Sequence, residues 1–246
     1  NVDGTTNEAV DPYVRATTVN GVRGVVVDLA KTNPANWSKS KPAFSGNPTD
    51  AIIYELHVRD LSMDASSGIP AANKGKYLAF TNLNTLFSGQ KTGISAIKDL
   101  GVTHVELLPI FDYASVDENS PTFNWGYDPM NYNVPEGSYS SDPKNPTARI
   151  TELKSAIQAM HEQKLRVNMD VVYNHVYTAS NFSQELIVPG YWFRTDESGN
   201  LTNGSGCGND VASERPMVRK FIVDSVKYWA SEYNLDGFRF DLMGLM

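Results

Sequence analysis

The sequence predicts an α/β chain organised around a parallel sheet, and three observations lead there. From about residue 51, short apolar runs alternate with stretches of helical period. Links from helix to strand are a few residues long, whereas links from strand to helix run to tens of residues. The composition, 41% hydrophobic and 20% charged over 246 residues, is that of a globular protein able to bury such a sheet.

Taken in order, residues 1–48 read differently from the rest. Tyr13–Val19 and Val22–Leu29 are β-rich runs around Asn20-Gly21, the dipeptide that most favours a tight hairpin turn. Ala30–Asp50 carries Asn33-Pro34, Pro42, Gly46 and Pro48 among Ser and Lys, which is loop chemistry. Two strands make no stable domain, so this segment is expected to end a β-domain or to decorate the α/β unit. Residues 49–246 form that unit. Its strands are predicted at Ile52–Val58, Thr103–Leu108, Leu165–Tyr173 and Gly237–Leu242. Ile94, Ile97 and Leu100 are spaced for a short helix. Ile150, Leu153, Ile157 and Met160 mark a longer one, and Val218, Phe221, Ile222, Ser225 and Trp229 a third that Pro216 opens.

The tiny links fall around Gly101, around Lys164 and at Asn234–Asp236; the long ones span roughly Arg59–Thr92, Ile110–Pro146 and Asn174–Ser213. Open parallel sheets and barrels both place binding sites at the carboxyl ends of their strands, on the long links. Charge narrows the partners. With 28 acidic residues against 21 Lys and Arg the formal charge is −7, which argues against nucleic acid and anionic membrane surfaces. No apolar run approaches the roughly 20 residues of a membrane-spanning helix. The single cysteine, Cys207, excludes an internal disulfide and a multi-cysteine metal site.

The last strand carries the sharpest chemical signal. In Gly237-Phe238-Arg239-Phe240-Asp241, period two puts Arg239 and Asp241 on one face and both Phe on the other. Charges on a parallel strand must be paired, because burying them alone is costly. A carboxylate held ionised by a neighbouring guanidinium at a strand's carboxyl end suits catalysis, and equally a structural ion pair. The third strand runs into Asp170, Asn174 and His175, residues able to contact a polar substrate, with Asn174 offering an amide oxygen to a hard cation. No second His or Cys stands at zinc-ligand spacing, and His57, His104 and His161 are expected to pack structurally. Phe123-Asn124-Trp125-Gly126-Tyr127-Asp128-Pro129, Tyr132, Tyr139 and Tyr191-Trp192-Phe193 are loop aromatics suited either to a sugar ring or to packing within the loops. Gly204-Ser205-Gly206-Cys207-Gly208 lacks the lysine and the preceding strand of a phosphate cradle.

Three of these segments together resemble the α-amylase superfamily, glycoside hydrolase family 13. D-V-V-Y-N-H at 170–175 and D-G-F-R-F-D at 236–241 are similar to its first two conserved regions. F-N-W-G-Y-D-P at 123–129 resembles the signature of type I pullulanases, where the first residue is usually Tyr. N-Y-N-V-P-E-G-S-Y-S at 131–140 and Y-E-L-H-V-R-D at 54–60 agree. The resemblance implies the first four βα units of a TIM-type (β/α)₈ barrel, with residues 1–48 as the end of a β-sandwich and linker. It implies that Asp241 is the nucleophile and Arg239 its positioning charge. His175, Tyr127 and Trp125 would bind substrate, Asp128 would fix the Tyr127 loop, and Asp170 would be structural. Asn174 matches a position that ligates calcium in some members. The implied reaction is retaining hydrolysis of α-1,6 branch links in pullulan and in glycogen- or starch-derived dextrins. The family's acid/base Glu follows a fifth strand, so residues 1–246 alone are expected to be inactive, with a complementary C-terminal half of the barrel as partner. A bacterial cell-surface or extracellular location is the leaning, with the cytoplasm as the alternative. A non-catalytic α-glucan-binding module, an α-1,4-acting amylase and a branching enzyme are the alternatives, the last two disfavoured by N-W-G-Y-D-P.

Overall fold

A computed structural model describes residue 4 and residues 6–246. Four strands, β1 (Ile53–Leu56), β2 (His104–Leu107), β3 (Arg166–Val171) and β4 (Gly237–Phe240), form one sheet. They pair in parallel and in sequence order. All four lie within the predicted runs.

The register sorts the side chains. Leu56, Leu107, Met169 and Phe238 fall in one row, whereas Glu55, Glu106, Asn168 and Gly237 fall in another on the opposite face. The apolar face packs against three helices: α1 (Gly93–Asp99), α2 (Ala148–Glu162) and α3 (Pro216–Glu232). On α2 the stripe Ile150, Leu153, Ile157 and Met160 is fully buried, and on α3 Val218, Phe221, Ile222, Ser225 and Trp229 are buried as the spacing predicts. One position on α1 departs. Ile94 and Ile97 are buried, but Leu100 is 65% exposed, because it caps the helix and points away from the sheet.

Sharp turns close the short links. Gly101, Lys164 and Asn234 all have positive φ, which returns the chain from helix to strand within a few residues. The long links have structure of their own. After β2 an antiparallel ribbon forms between Phe111–Tyr113 and Pro129–Pro135; after β3 comes a short helix, Ser183–Ile187.

The N-terminal segment corrects the sequence reading. The Asn20-Gly21 turn forms, with φ of 58° and 66°, but only one bridge, Thr17 to Gly24, flanks it among the described residues. Where the runs predicted two strands, the described residues contain 3₁₀ turns at Val19–Gly21 and Leu29–Thr32. A lone ribbon has nothing to stack on, so the segment instead spends its polar groups on the α/β unit. Glu118 N donates to Asn20 Oδ1 at 2.8 Å, and Lys154 Nζ reaches Thr32 Oγ1 at 3.0 Å and Asn33 Oδ1 at 2.7 Å. Gly21 is required at the turn, since a Cβ there would lie 2.5 Å from Asp112 Oδ2.

Candidate active site

The β3–β4 register sets Asp170 beside Arg239. Arg239 Nη1 donates to both Asp170 oxygens at 3.0 Å and to Asp241 Oδ1 at 2.8 Å. Asp241 lies one residue past β4, yet its N–H still bonds Val171 O at 2.9 Å, which fixes where its carboxylate stands. The two acids differ in access. The Asp170 side chain is 1% exposed and that of Asp241 16%, so only Asp241 can meet a ligand. Burial works against the Arg239 charge, but bonds and attraction from Asp170 and Asp241 outweigh it and raise its pKa above the ordinary value. Burial likewise pushes the Asp170 carboxyl up, against the pull of Tyr127 and Arg239.

The loops complete the arrangement. Tyr127 OH donates to Asp170 Oδ2 at 2.6 Å, tying the Phe123–Asp128 loop to the sheet. Asn174 Nδ2 donates to Asp241 O at 2.7 Å and Oδ2 at 3.1 Å, while its Oδ1 meets His175 Nδ1. His175 Nε2 faces Tyr127 O at 2.7 Å. Burial lowers the His175 pKa from its ordinary value, against the bond to Tyr127 O and the attraction of Asp241. Asp128 accepts from the Ser115 hydroxyl, and its carbonyl accepts from Ala114 N at 2.9 Å. Trp125 is 59% exposed and sits edge-on to Phe123, with centroids 5.2 Å apart. Thus Asp241, Arg239, His175, Tyr127 and Asn174 form one bonded cluster, while Asp128 and Trp125 flank Tyr127 on the same loop.

Other sequence candidates resolve into packing. Tyr132, Tyr139, Trp192 and Phe193 are buried in aromatic contacts, because these loops build a core of their own. The glycine-rich loop wraps a carboxylate: Gly204 N and Ser205 N donate to Asp210 at 2.7 and 2.9 Å. The Asn174 amide oxygen is already engaged by His175, so a cation there would have to displace that bond.

Sequence reasoning missed two groups. His57 bonds the Phe123–Asp128 loop, with Nε2 2.8 Å from Asn124 O. Asp112, Glu118 and Glu136 bring carboxylate oxygens within 4.8 Å of one another, all buried, with Arg149 as their counter-ion. The clue to the second was charge at α2 positions that the helical period turns inward: Arg149 adjoins Ile150 and is fully buried. His57 lies within the Y-E-L-H-V-R-D segment, but its contact with the Phe123–Asp128 loop had no local signal.

Comparison with known proteins bears on the fold. No family model matches the chain. The pullulanase of Bacillus subtilis (strain 168) is 52% identical over 242 residues, covering 97% of this chain and 33% of that protein. The solved pullulanase of Bacillus acidopullulyticus superposes with a TM-score of 0.95 at 56% identity, over 99% of this chain and 30% of its own. That of Paenibacillus barengoltzii, solved in complex with maltohexaose and α-cyclodextrin, gives 0.94 at 54% identity, over 98% of this chain and 38% of its own. This chain therefore spans about a third of the relatives that it matches. The chain is thus similar to one stretch of these pullulanases, of which the Bacillus subtilis enzyme is a type I pullulanase.

Proposed function

We propose that residues 49–246 form the N-terminal half of a (β/α)₈ barrel, four strands with the three helices that join them, in a protein that hydrolyses α-1,6 branch links in pullulan and in glycogen- or starch-derived dextrins. Strand order supports the barrel, since β1 to β4 lie in sequence without the reversal of a doubly wound sheet. The observation that carries the activity is the Asp241–Arg239–Asp170–Tyr127 chain, in which one accessible carboxylate stands beside a guanidinium anchored from behind.

In this reading Asp241 attacks the anomeric carbon as the C1–O6 bond breaks and an acid/base carboxyl protonates the leaving oxygen; that carboxylate then takes a proton from water, which displaces Asp241 and releases the sugar with retention. Arg239 keeps the carboxylate ionised and aimed, and Asn174 steadies its second oxygen. His175 and Tyr127 contact the sugar next to the cut bond, Trp125 stacks on a further ring, and Asp128 holds their loop. An acid/base carboxyl about 5–5.5 Å from the nucleophile must come from the complementary half of the barrel, because Asp170 is buried and already bonded. Maltohexaose and α-cyclodextrin bound by the Paenibacillus barengoltzii enzyme support an α-glucan ligand.

The test uses the intact polypeptide that contains residues 1–246. Asp241→Asn should abolish pullulan hydrolysis and leave maltotriose binding in place. Residues 1–246 alone should release no reducing sugar from pullulan. Dextrin binding without turnover by the intact polypeptide would favour a binding module instead, and products from amylose but not pullulan an α-1,4 enzyme.

A further inference from the structure

The structure assigns His57 as a positioning residue that sets the Phe123–Asp128 loop, and hence the presentation of Trp125 and Tyr127 to an α-glucan; the glucan part rests on the function proposed above. His57 follows β1 directly, at the carboxyl end where the other site residues gather. Its side chain is 5% exposed and is bonded at both nitrogens.

The two nitrogens serve different structures. Nδ1 faces the backbone N–H groups of Arg59 and Asp60 at 3.2 and 3.4 Å, where the short helix Asp60–Met63 begins. It can only accept there, so these bonds assign the ring proton to Nε2. Nε2–H then donates to the carbonyl of Asn124 at 2.8 Å, with the Tyr139 hydroxyl 3.1 Å away. The Phe123 ring lies on the imidazole at 4.9 Å between centroids and 35° between planes. Burial holds the imidazole pKa below 6.5, in keeping with this neutral tautomer.

Asn124 is the hub of the loop. Its Nδ2 donates to Ser115 Oγ at 2.7 Å, and its Oδ1 accepts from Gly126 N at 2.8 Å. Gly126 turns with φ of 86°, and a Cβ there would stand 3.1 Å from both Pro109 and Tyr113. The backbone around Asn124 is therefore held from three sides, and His57 supplies the side that faces β1. Trp125 and Tyr127 flank this fixed point, with Tyr127 then bonded to Asp170. Without the Nε2 donor, the Asn124 carbonyl loses a buried partner and the Phe123 ring loses its seat.

The dual role gives a direct test. In the intact polypeptide, His57→Gln places an amide donor near the Nε2 position, whereas His57→Asn keeps only an acceptor near Nδ1. Maltotriose affinity should fall about 5–30-fold in His57→Asn, the effect of one to two lost buried hydrogen bonds, and recover most of that in His57→Gln. Acrylamide quenching of Trp125 fluorescence, with Trp125→Phe as the blank, should rise in His57→Asn and stay near wild type in His57→Gln. Equal losses of Tm and of binding in the two variants, or unchanged quenching in both, would overturn the assignment. If the wild-type protein binds no maltotriose, the function proposed above fails, and the quenching comparison still decides the role of His57.

Discussion

Replacing Arg149 by Met tests the buried carboxylate cluster, whose position couples the N-terminal segment to the α/β unit. Arg149 is fully buried, with Nη1 and Nη2 bonded to Glu118 at 2.9 and 2.7 Å and Asp112 at 3.8 Å. Its removal leaves three buried carboxyl groups without a cation. Breaking a buried ion pair by removing one partner costs about 3–5 kcal/mol. The loss should depend on pH. Burial, and the neighbouring Glu118, push the Glu136 carboxyl up to about 7 from 4.5, and burial pushes Asp112 up too. A carboxyl with a raised folded pKa binds more protons folded than unfolded, so its contribution to stability falls as pH rises, for Glu136 between about 4.5 and 7. With Arg149 gone the slope should steepen, and Arg149→Met should lose most at pH 8 and recover much of the loss at pH 5. Thermal unfolding of the intact polypeptide, followed by circular dichroism at both pH values, measures this. A loss below about 1 kcal/mol, or one equal at the two pH values, refutes the reasoning.

Three further outcomes are expected. Lys154→Met should cost about 1–3 kcal/mol and raise proteolysis within residues 29–33, since Nζ is the buried peg to Thr32, Asn33 and Glu232; limited trypsin digestion reads this. Gly126→Ala should cost about 1–3 kcal/mol of strain at its positive φ and weaken maltotriose binding, measured by calorimetry. His175 has a depressed pKa, so the folded state binds fewer protons than the unfolded, and its contribution to stability is lost as pH falls below about 6.5. In a pH titration of Tm, His175→Gln should therefore flatten that acid limb.

The helices of the α/β unit were legible because buried apolar residues recur along them, and the strands because each is a short apolar run between turn signals. The stripe Ile150, Leu153, Ile157 and Met160 and the alternation in Gly237–Phe240 are local patterns, set by where successive side chains point. The N-terminal runs were misread for the complementary reason. Their β-propensity is real, but a strand needs partners, and the described residues provide one bridge and a surface to dock on. Loop aromatics gave equal chemical signals at Trp125 and Trp192, and only packing separated the exposed ring from the buried one.

By itself the sequence determined that Arg239 and Asp241 share a face and that the long links share an end of the sheet. Both follow from periods of two and from connection lengths. Tertiary structure decided what those charges meet. Asp170 reaches Arg239 through strand register, Tyr127 reaches Asp170 across a loop, and His57 reaches Asn124 from another strand's end. Such partners lie 43 to 69 positions apart. Local periodicity carries no information over that distance; closing the loops onto a common sheet does.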